Sequence, residues 1–280
     1  MRVLILANND DGLYKFRKEL LECLIKNSNK VYASLPYGNK IKALKSMGVN
    51  LINTQIDRRG INPITDAKLI VTYINIIKSL QPDVILTYTI KPNIYGALAA
   101  RIYRTSYLVN ITGLGSALEK NCLLRYLILN MYKISLKKSK CIFFQNEENM
   151  LFFRNNNIMA EKYKLIPGSG VNTKKFSLLD YPLDKTIEFV FISRIMKEKG
   201  IEHYLECAEY IRKKYPNTRF HICGFCEEAY QERLNKLDND GVIIYHGLVD
   251  DIREILKITH CTIHPSYHEG MSNVDRKSVV

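Results

Sequence analysis

The stretch Phe189–Gly200, FVFISRIMKEKG, holds the two cations best spaced to do chemistry, Arg194 and Lys199. The apolar run Phe189, Val190, Phe191, Ile192 predicts a buried parallel strand. Ile201, Tyr204, Leu205, Ala208 and Ile211 then recur at helical spacing. Arg194 and Lys199 therefore fall between the carboxyl end of a strand and the start of a helix, where open α/β sheets bind ligands. Two fixed cations beside a helix N-terminus make an anion site, best matched to a diphosphate. The competing reading is two solvated charges in a Lys-rich chain.

The elements that would position these cations repeat along the chain. Val3–Ala7 reads as a first strand, and the turn Asn8-Asn9-Asp10-Asp11-Gly12 leads into a helix with Leu13, Phe16, Leu20, Leu21 and Leu24 on one face. Lys30–Leu35, Leu51–Thr54, Asp83–Tyr88, Tyr107–Ile111 and Cys141–Phe144 read as strands. Helices are expected at Pro63–Leu80, Asn93–Tyr103 and Leu123–Lys137. The pattern breaks around Ile166-Pro167-Gly168-Ser169-Gly170-Val171 and restarts as strand 189–192, helix 201–214, strand 219–223, helix 227–237, strand 242–245, helix 251–257 and strand 261–264. Alternation of this kind predicts an α/β fold of two doubly wound, Rossmann-like parallel-sheet domains facing a cleft. The expected divisions are 1–167, a linker at 168–186, and 187–274. The first strand-turn-helix lacks G-x-G-x-x-G; its single Gly12 lets a phosphate or sugar approach the backbone, or serves the turn alone.

At 280 residues the chain is long enough for two cores, and 46% hydrophobic with 25% charged residues is a soluble globular composition. The net charge of +13 suits nucleic acid, an anionic membrane surface or phosphorylated substrates, or reflects a Lys- and Asn-rich coding bias. No aromatic-basic motif of the nucleic-acid-binding kind occurs, so nucleic acid is not expected as a partner. Seven scattered cysteines, mostly in apolar runs, indicate a reducing cytosol. MRVLILANNDDG is too short in its apolar run for a signal peptide, and no segment is apolar enough to span a bilayer.

Eight segments stand in order: DGLYKFRKEL, YTIKPNIYG, NITGLGSAL, IPGSGVNTKKF, FISRIMKEKG, FHICGF, IIYHGLVDDI and HPSYHEGMSNV. Together they resemble family 4 of the retaining glycosyltransferases, of GT-B fold, over nearly the whole chain. YTIKPNIYG and NITGLGSAL are most similar to bacterial enzymes that build capsule, O-antigen or other lipid-linked oligosaccharides. The resemblance implies transfer of a sugar from a nucleotide-sugar donor, expected to be UDP-linked, to a lipid-linked or polysaccharide acceptor. Arg194 and Lys199 would hold the donor diphosphate and stabilise the leaving nucleoside diphosphate, with no metal required. Glu269 would contact the donor sugar. Gly270, Met271, Ser272, Asn273 and Val274 would lie against sugar and phosphate at a helix start. Gly224 would give the nucleotide close approach, Gly247 and Asp250 would flank the base, and Gly12, grouped with the donor contacts, would line the cleft from the acceptor side. The reaction would retain anomeric configuration by same-face attack without a clear protein nucleophile.

The chain departs from that pattern twice. Many relatives carry a His after the strand that ends at Tyr88; here Thr89-Ile90-Lys91-Pro92 follows, leaving Lys91 and Asn93 as acceptor candidates and no catalytic His. The family's second Glu, eight residues after Glu269, is replaced by Lys277. The tail DRKSVV (275–280) fits no element and matches the translation of a common sequencing adapter, GATCGGAAGAGCGTCGTG. The expectation is that the natural sequence stops near Val274 here, leaving the second domain incomplete and this chain poorly active.

Other groupings have plainer readings. Cys223-Gly-Phe-Cys226 has redox or zinc spacing but no second pair, so structural cysteines are expected. His260, His264 and His268 are four apart, yet Pro265 and strand-like alternation keep them off one helical face. His264 and His268 are expected to line the sugar pocket or shape its loop, with His260 peripheral. Leu123–Lys140 is either a core helix with a cationic C-terminus or a surface that meets anionic lipid and guides a polyprenyl-diphosphate acceptor. The second would put the protein in the cytoplasm, peripheral at the inner face of the plasma membrane. Rival functions are a sugar-nucleotide hydrolase or epimerase on a similar scaffold, and a non-catalytic basic membrane- or nucleotide-binding remnant.

Overall fold

A computed structural model of the chain describes all residues except 59, 115–117, 119–122, 227–228, 268, 270–271 and 275–280. The chain divides into two compact units, Met1–Ser169 and Gly170–Val280.

The first unit carries strands β1 (Arg2–Leu6), β2 (Lys30–Leu35), β3 (Asn50–Asn53), β4 (Val84–Tyr88), β5 (Ser106–Ile111), β6 (Cys141–Phe144) and β7 (Tyr163–Leu165). They pair in parallel in the order β3-β2-β1-β4-β5-β6-β7. Helices α1 (Asp10–Lys26), α2 (Ile41–Ser46), α3 (Pro63–Leu80), α4 (Ala97–Ile102), α5 (Leu123–Leu136) and α6 (Glu147–Asn155) lie in the connections. Because side chains alternate along a strand, β1 feeds two cores. Leu4 and Leu6 join the cluster of Tyr73, Ile77, Tyr107 and Phe144, while Val3 and Ile5 join that of Leu13, Leu21, Val31 and Leu44. A strand covered on both faces has to be apolar throughout, as β1 is. The first strand lies inside its sheet, between β2 and β4, so a topological switch point falls at the carboxyl ends of β1 and β4.

The second unit repeats the plan with β8 (Ile187–Ile192), β9 (Thr218–Cys223), β10 (Ile244–Gly247) and β11 (Cys261–Thr262), parallel in the order β10-β9-β8-β11. Helices α7 (Ile201–Lys214), α8 (Gln231–Asn239) and α9 (Arg253–Leu256) connect them. Phe191, Tyr204, Leu205, Phe220, Ile222 and Leu234 form its core, each contributing roughly 1.5–3 kcal/mol by burial. The Tyr204 hydroxyl donates to the His221 carbonyl at 2.8 Å, joining α7 to β9. Here the switch point falls at the carboxyl ends of β8 and β11.

Polar groups are also buried in this sheet. Glu188 Oε2 lies 2.7 Å from His221 Nε2, Arg219 Nη1 is 3.2 Å from Glu188 Oε1, and His221 Nδ1 is 2.8 Å from His246 Nε2. Burial first, then the neighbouring His221, lowers the pKa of His246. The paired Glu188 lets β8 begin at Ile187, before the apolar run that marks the strand in the sequence.

Several boundaries differ from the sequence expectations. The strand expected at 261–264 is confined to Cys261–Thr262; the Ile263 amide still donates to the Val190 carbonyl at 2.9 Å, and Pro265, which has no N–H, bars further extension. The helix expected at 227–237 runs Gln231–Asn239, the strand expected at 242–245 runs Ile244–Gly247, and the helix expected at 251–257 shrinks to Arg253–Leu256. Asn93–Tyr103 begins as a wide π-turn, Pro92–Gly96, before the short α4. The six described cysteines are unbridged: Cys23, Cys207 and Cys261 are exposed, Cys141 and Cys223 are buried, and Cys226 is between. Burial pushes the Cys223 thiol up to about 12.

Candidate active site

The loops after β8 and β11, at the switch point of the second sheet, bring together Lys199, His264 and Glu269. Beyond β8, the Ser193 amide donates to the Cys223 carbonyl and the Ile195 amide to the Phe225 carbonyl, so the chain still follows β9 as it passes Arg194. Arg194 itself is exposed. A single 3₁₀ turn, Lys197–Lys199, then ends at Gly200, whose φ of +73° opens the way into α7. A Cβ at Gly200 would stand 2.2 Å from the Pro265 carbonyl oxygen, so glycine is what allows the two loops to touch.

Three further contacts fasten the loop after β11 to that turn. The Tyr267 amide donates to the Glu198 carbonyl at 3.1 Å, and the Tyr267 hydroxyl lies 2.7 Å from His203 Nε2 on α7. Lys199 Nζ donates to Glu269 Oε1 at 2.6 Å, with side-chain exposures of only 14% and 30%. His264 Nε2 lies 3.2 Å from the same oxygen. Burial alone would raise the Glu269 carboxyl; the bonds from His264 and Lys199, with a smaller contribution from Ser266, outweigh it and hold the pKa down to about 2. The carboxylate is therefore ionised across the physiological range and accepts from His264 and Lys199.

The other expected donor contacts are dispersed around this core. At Gly224 a Cβ would meet the Ser193 carbonyl oxygen at 1.7 Å, so the close approach there includes the chain's own backbone beside Arg194. The Gly224 amide donates to the Gly247 carbonyl at 2.8 Å, which ties the ends of β9 and β10. Asp250 is exposed, while Ser272, Asn273 and Val274 are partly buried. His268, Gly270, Met271 and the tail 275–280 lie outside the described residues. His260 accepts from the Glu188 amide through Nδ1 at 3.2 Å, which holds β11 beside β8. Neither His203 nor Tyr267 stood out in the sequence. Their pairing spans the chain from α7 to the loop after β11, and no local spacing marks it.

At the switch point of the first sheet, the Gly12 amide is taken by Asn9 Oδ1, which caps α1. Asp10 Oδ2 accepts from the Lys40 amide at 2.7 Å and Oδ1 from the Asp11 amide at 2.9 Å, locking the loops after β1 and β2 together. Past β4, Thr89 has φ +72°, an outlying conformation for a β-branched residue. Lys91 Nζ pairs with Asp66 Oδ1 at 2.6 Å, and Asp66 Oδ2 accepts from the Tyr95 hydroxyl at 2.7 Å. Asn93 is 1% exposed and its Nδ2 donates to the Asn110 carbonyl. Of the two acceptor candidates, Asn93 thus sits in the interior with its amide bonded to β5, and Lys91 is held to α3 by an ion pair. Among the described residues no cluster of His, Cys, Asp or Glu has the makings of a metal site.

Two parallel α/β units of this order constitute the GT-B glycosyltransferase fold. The structure of Anabaena HepE in complex with UDP and glucose superposes with a TM-score of 0.74 at 15% identity, covering 99% of this chain and 78% of that one. The chain belongs to the glycosyl transferase 4-like family, whose sequence profile matches residues 2–146, and residues 180–274 match that of glycosyl transferases group 1. It is 27% identical over 287 residues to the N,N'-diacetylbacillosaminyl-diphospho-undecaprenol alpha-1,3-N-acetylgalactosaminyltransferase of Campylobacter jejuni, covering 96% of this chain and 76% of that protein. It is also 27% identical over 233 residues to the UDP-Gal:alpha-D-GlcNAc-diphosphoundecaprenol alpha-1,3-galactosyltransferase of Escherichia coli, covering 76% and 59%. The protein is a glycosyltransferase.

Proposed function

We propose that the chain moves a sugar, with retention of configuration, from a UDP-linked donor to a polyprenyl-diphosphate-linked glycan. The observation that carries this reading is the convergence of Lys199, Glu269 and the neighbouring Arg194 loop on one switch point. As the glycosidic bond to the diphosphate breaks, negative charge grows on the leaving phosphate. Arg194 and Lys199 meet that charge, and electrostatic stabilisation of this kind is the largest contribution such a site makes. Glu269, ionised, accepts a hydrogen bond from a donor-sugar hydroxyl and sets the sugar's orientation. The reading assigns no metal to the step. The acceptor side belongs to the loops after β1 and β4, where the backbone at Thr89 departs from relaxed geometry. Relatives whose names specify diphosphoundecaprenol-linked substrates support the acceptor class.

The proposal extends to the membrane that holds such an acceptor. Helix α5 buries Ile128, Leu129, Tyr132 and Leu136, yet Leu123, Tyr126, Leu127 and Ile134 are exposed, Leu123 to 85%. These four lie on a second stripe that ends at the exposed Lys137 and Lys138. Apolar side chains with cations at their edge suit the cytoplasmic surface of an anionic bilayer. Among the described residues, no helix is long and apolar enough to cross a membrane.

The test is transfer itself. Purified protein is incubated with a panel of UDP-sugars and a polyprenyl-diphosphate-linked saccharide, and the product is read by mass. One sugar added to the acceptor is the expected result, with kcat/KM lowered about 100-fold in Arg194→Ala. Sugar released at the same rate without acceptor would point instead to a hydrolase.

A further inference from the structure

We infer that His264 is a positioning residue for the transfer, an anchor that helps keep Glu269 in place while Lys199 turns to the donor phosphate. The inference rests on the transferase reading above. Lys199 Nζ is 2.6 Å from Glu269 Oε1, and this is the cation assigned to the diphosphate. A diphosphate brings more negative charge than one carboxylate, so on donor binding the ammonium is shared with phosphate oxygens and its hold on Glu269 weakens. The carboxylate then depends on its other partners to keep the orientation the sugar requires.

His264 is one such partner, from the same loop as Glu269. Its Nε2 is 3.2 Å from the oxygen that Lys199 holds, and its ring is 19% exposed. Because the Glu269 carboxylate is ionised, it accepts and Nε2 donates. The other ring nitrogen, Nδ1, is buried and has no hydrogen-bond partner among the described residues. The ring's one hydrogen bond among the described residues is thus the one to Glu269. The backbone carrying it is fixed on both sides. Before it, the Ile263 amide donates to the Val190 carbonyl at 2.9 Å; after it, Pro265 packs on Gly200, and Tyr267 bonds to Glu198 and His203. A rigid loop bearing a donor aimed at the carboxylate is what a positioning role needs.

Two variants separate hydrogen bonding from bulk. His264→Phe keeps a ring and removes the donor, whereas His264→Gln restores an N–H near the Nε2 position. With UDP-sugar and lipid-linked acceptor, His264→Phe should lower kcat about tenfold with a smaller change in donor KM, and His264→Gln should recover most of the loss. The acid limb of thermal stability is read in parallel, without any substrate. A carboxylate depressed to about 2 when folded stabilises above its ordinary pKa of 4.5 and loses that contribution as pH falls toward 2. Removing the His264 bond should lift the lower end of this window by about one pH unit, and glutamine should restore it.

If wild type transfers sugar and His264→Phe changes neither kcat nor the acid limb, the positioning role is wrong. Equal loss of kcat in both variants would likewise overturn it, since packing alone would then explain the effect. If wild type transfers no sugar while the acid limb still shifts in His264→Phe and returns in His264→Gln, the contact stands and the transferase reading fails.

Discussion

Lys199 and Glu269, 70 residues apart, share a 2.6 Å ion pair that joins the turn after β8 to the loop after β11. A pair so placed has two duties, holding the loops together and supplying charge to the reaction. Lys199→Ala should lower kcat/KM by about 10²–10³. Glu269→Ala should also impair transfer, and in unfolding experiments the double variant should be less destabilised than the sum of the singles, by about 1 kcal/mol. Strict additivity would mean that the contact is not held in solution.

Gly200 tests whether loop contact controls the site. Alanine there meets both an unfavourable positive φ and the Pro265 carbonyl 2.2 Å away. Gly200→Ala should therefore cost about 2–4 kcal/mol of stability, seen as a lowered Tm. The strain is relieved by moving Pro265, which carries His264 and Glu269 with it. Transfer should consequently fall further than the loss of folded protein explains.

Membrane contact is checked by sedimentation with vesicles. The protein should pellet with anionic liposomes at low salt, stay in solution with neutral ones, and be released from the anionic ones as salt rises, since screening shortens the reach of Lys137 and Lys138. Leu127→Glu should weaken pelleting without disturbing the fold, because Leu127 is 55% exposed. Equal recovery on both lipids would remove the bilayer from the proposal.

Much of the architecture was legible because buried parallel strands must be continuously apolar. Lys30–Leu35, Cys141–Phe144, Pro63–Leu80 and 201–214 have the ends expected of them. In Pro63–Leu80 those ends are set by local chemistry, with Asn62 accepting from the Ile64 amide and Gln81 turning left-handed at φ +46°. Short elements escaped: Ile41–Ser46, Glu147–Asn155 and Tyr163–Leu165 carry too few apolar residues for a period to emerge. Within Glu147–Asn155 a signal existed, since Asn146 caps the helix and Glu147 and Glu148 fill its first turn. At the site, Arg194 and Lys199 stood out by type and spacing, and Glu269 through the family resemblance. Their connections did not, because the links between Tyr267 and His203 and between Lys199 and Glu269 arise from strand order. The buried Glu188–His221–His246 chain was hidden for a related reason: its members lie on three strands that become neighbours only once the sheet forms.

The cysteine arrangement bears on how motion in this enzyme is to be watched. Cys23, on α1 of the first unit, and Cys207, on α7 of the second, are exposed thiols on regular helices, whereas Cys223 beside the site is buried with its thiol pKa raised to about 12. Maleimide dyes at neutral pH should label the first two along with the exposed Cys261 and spare Cys223. With Cys122, Cys226 and Cys261 replaced by serine, one fluorophore on each unit would report any change in their separation as a nucleotide sugar binds, with no new cysteine introduced.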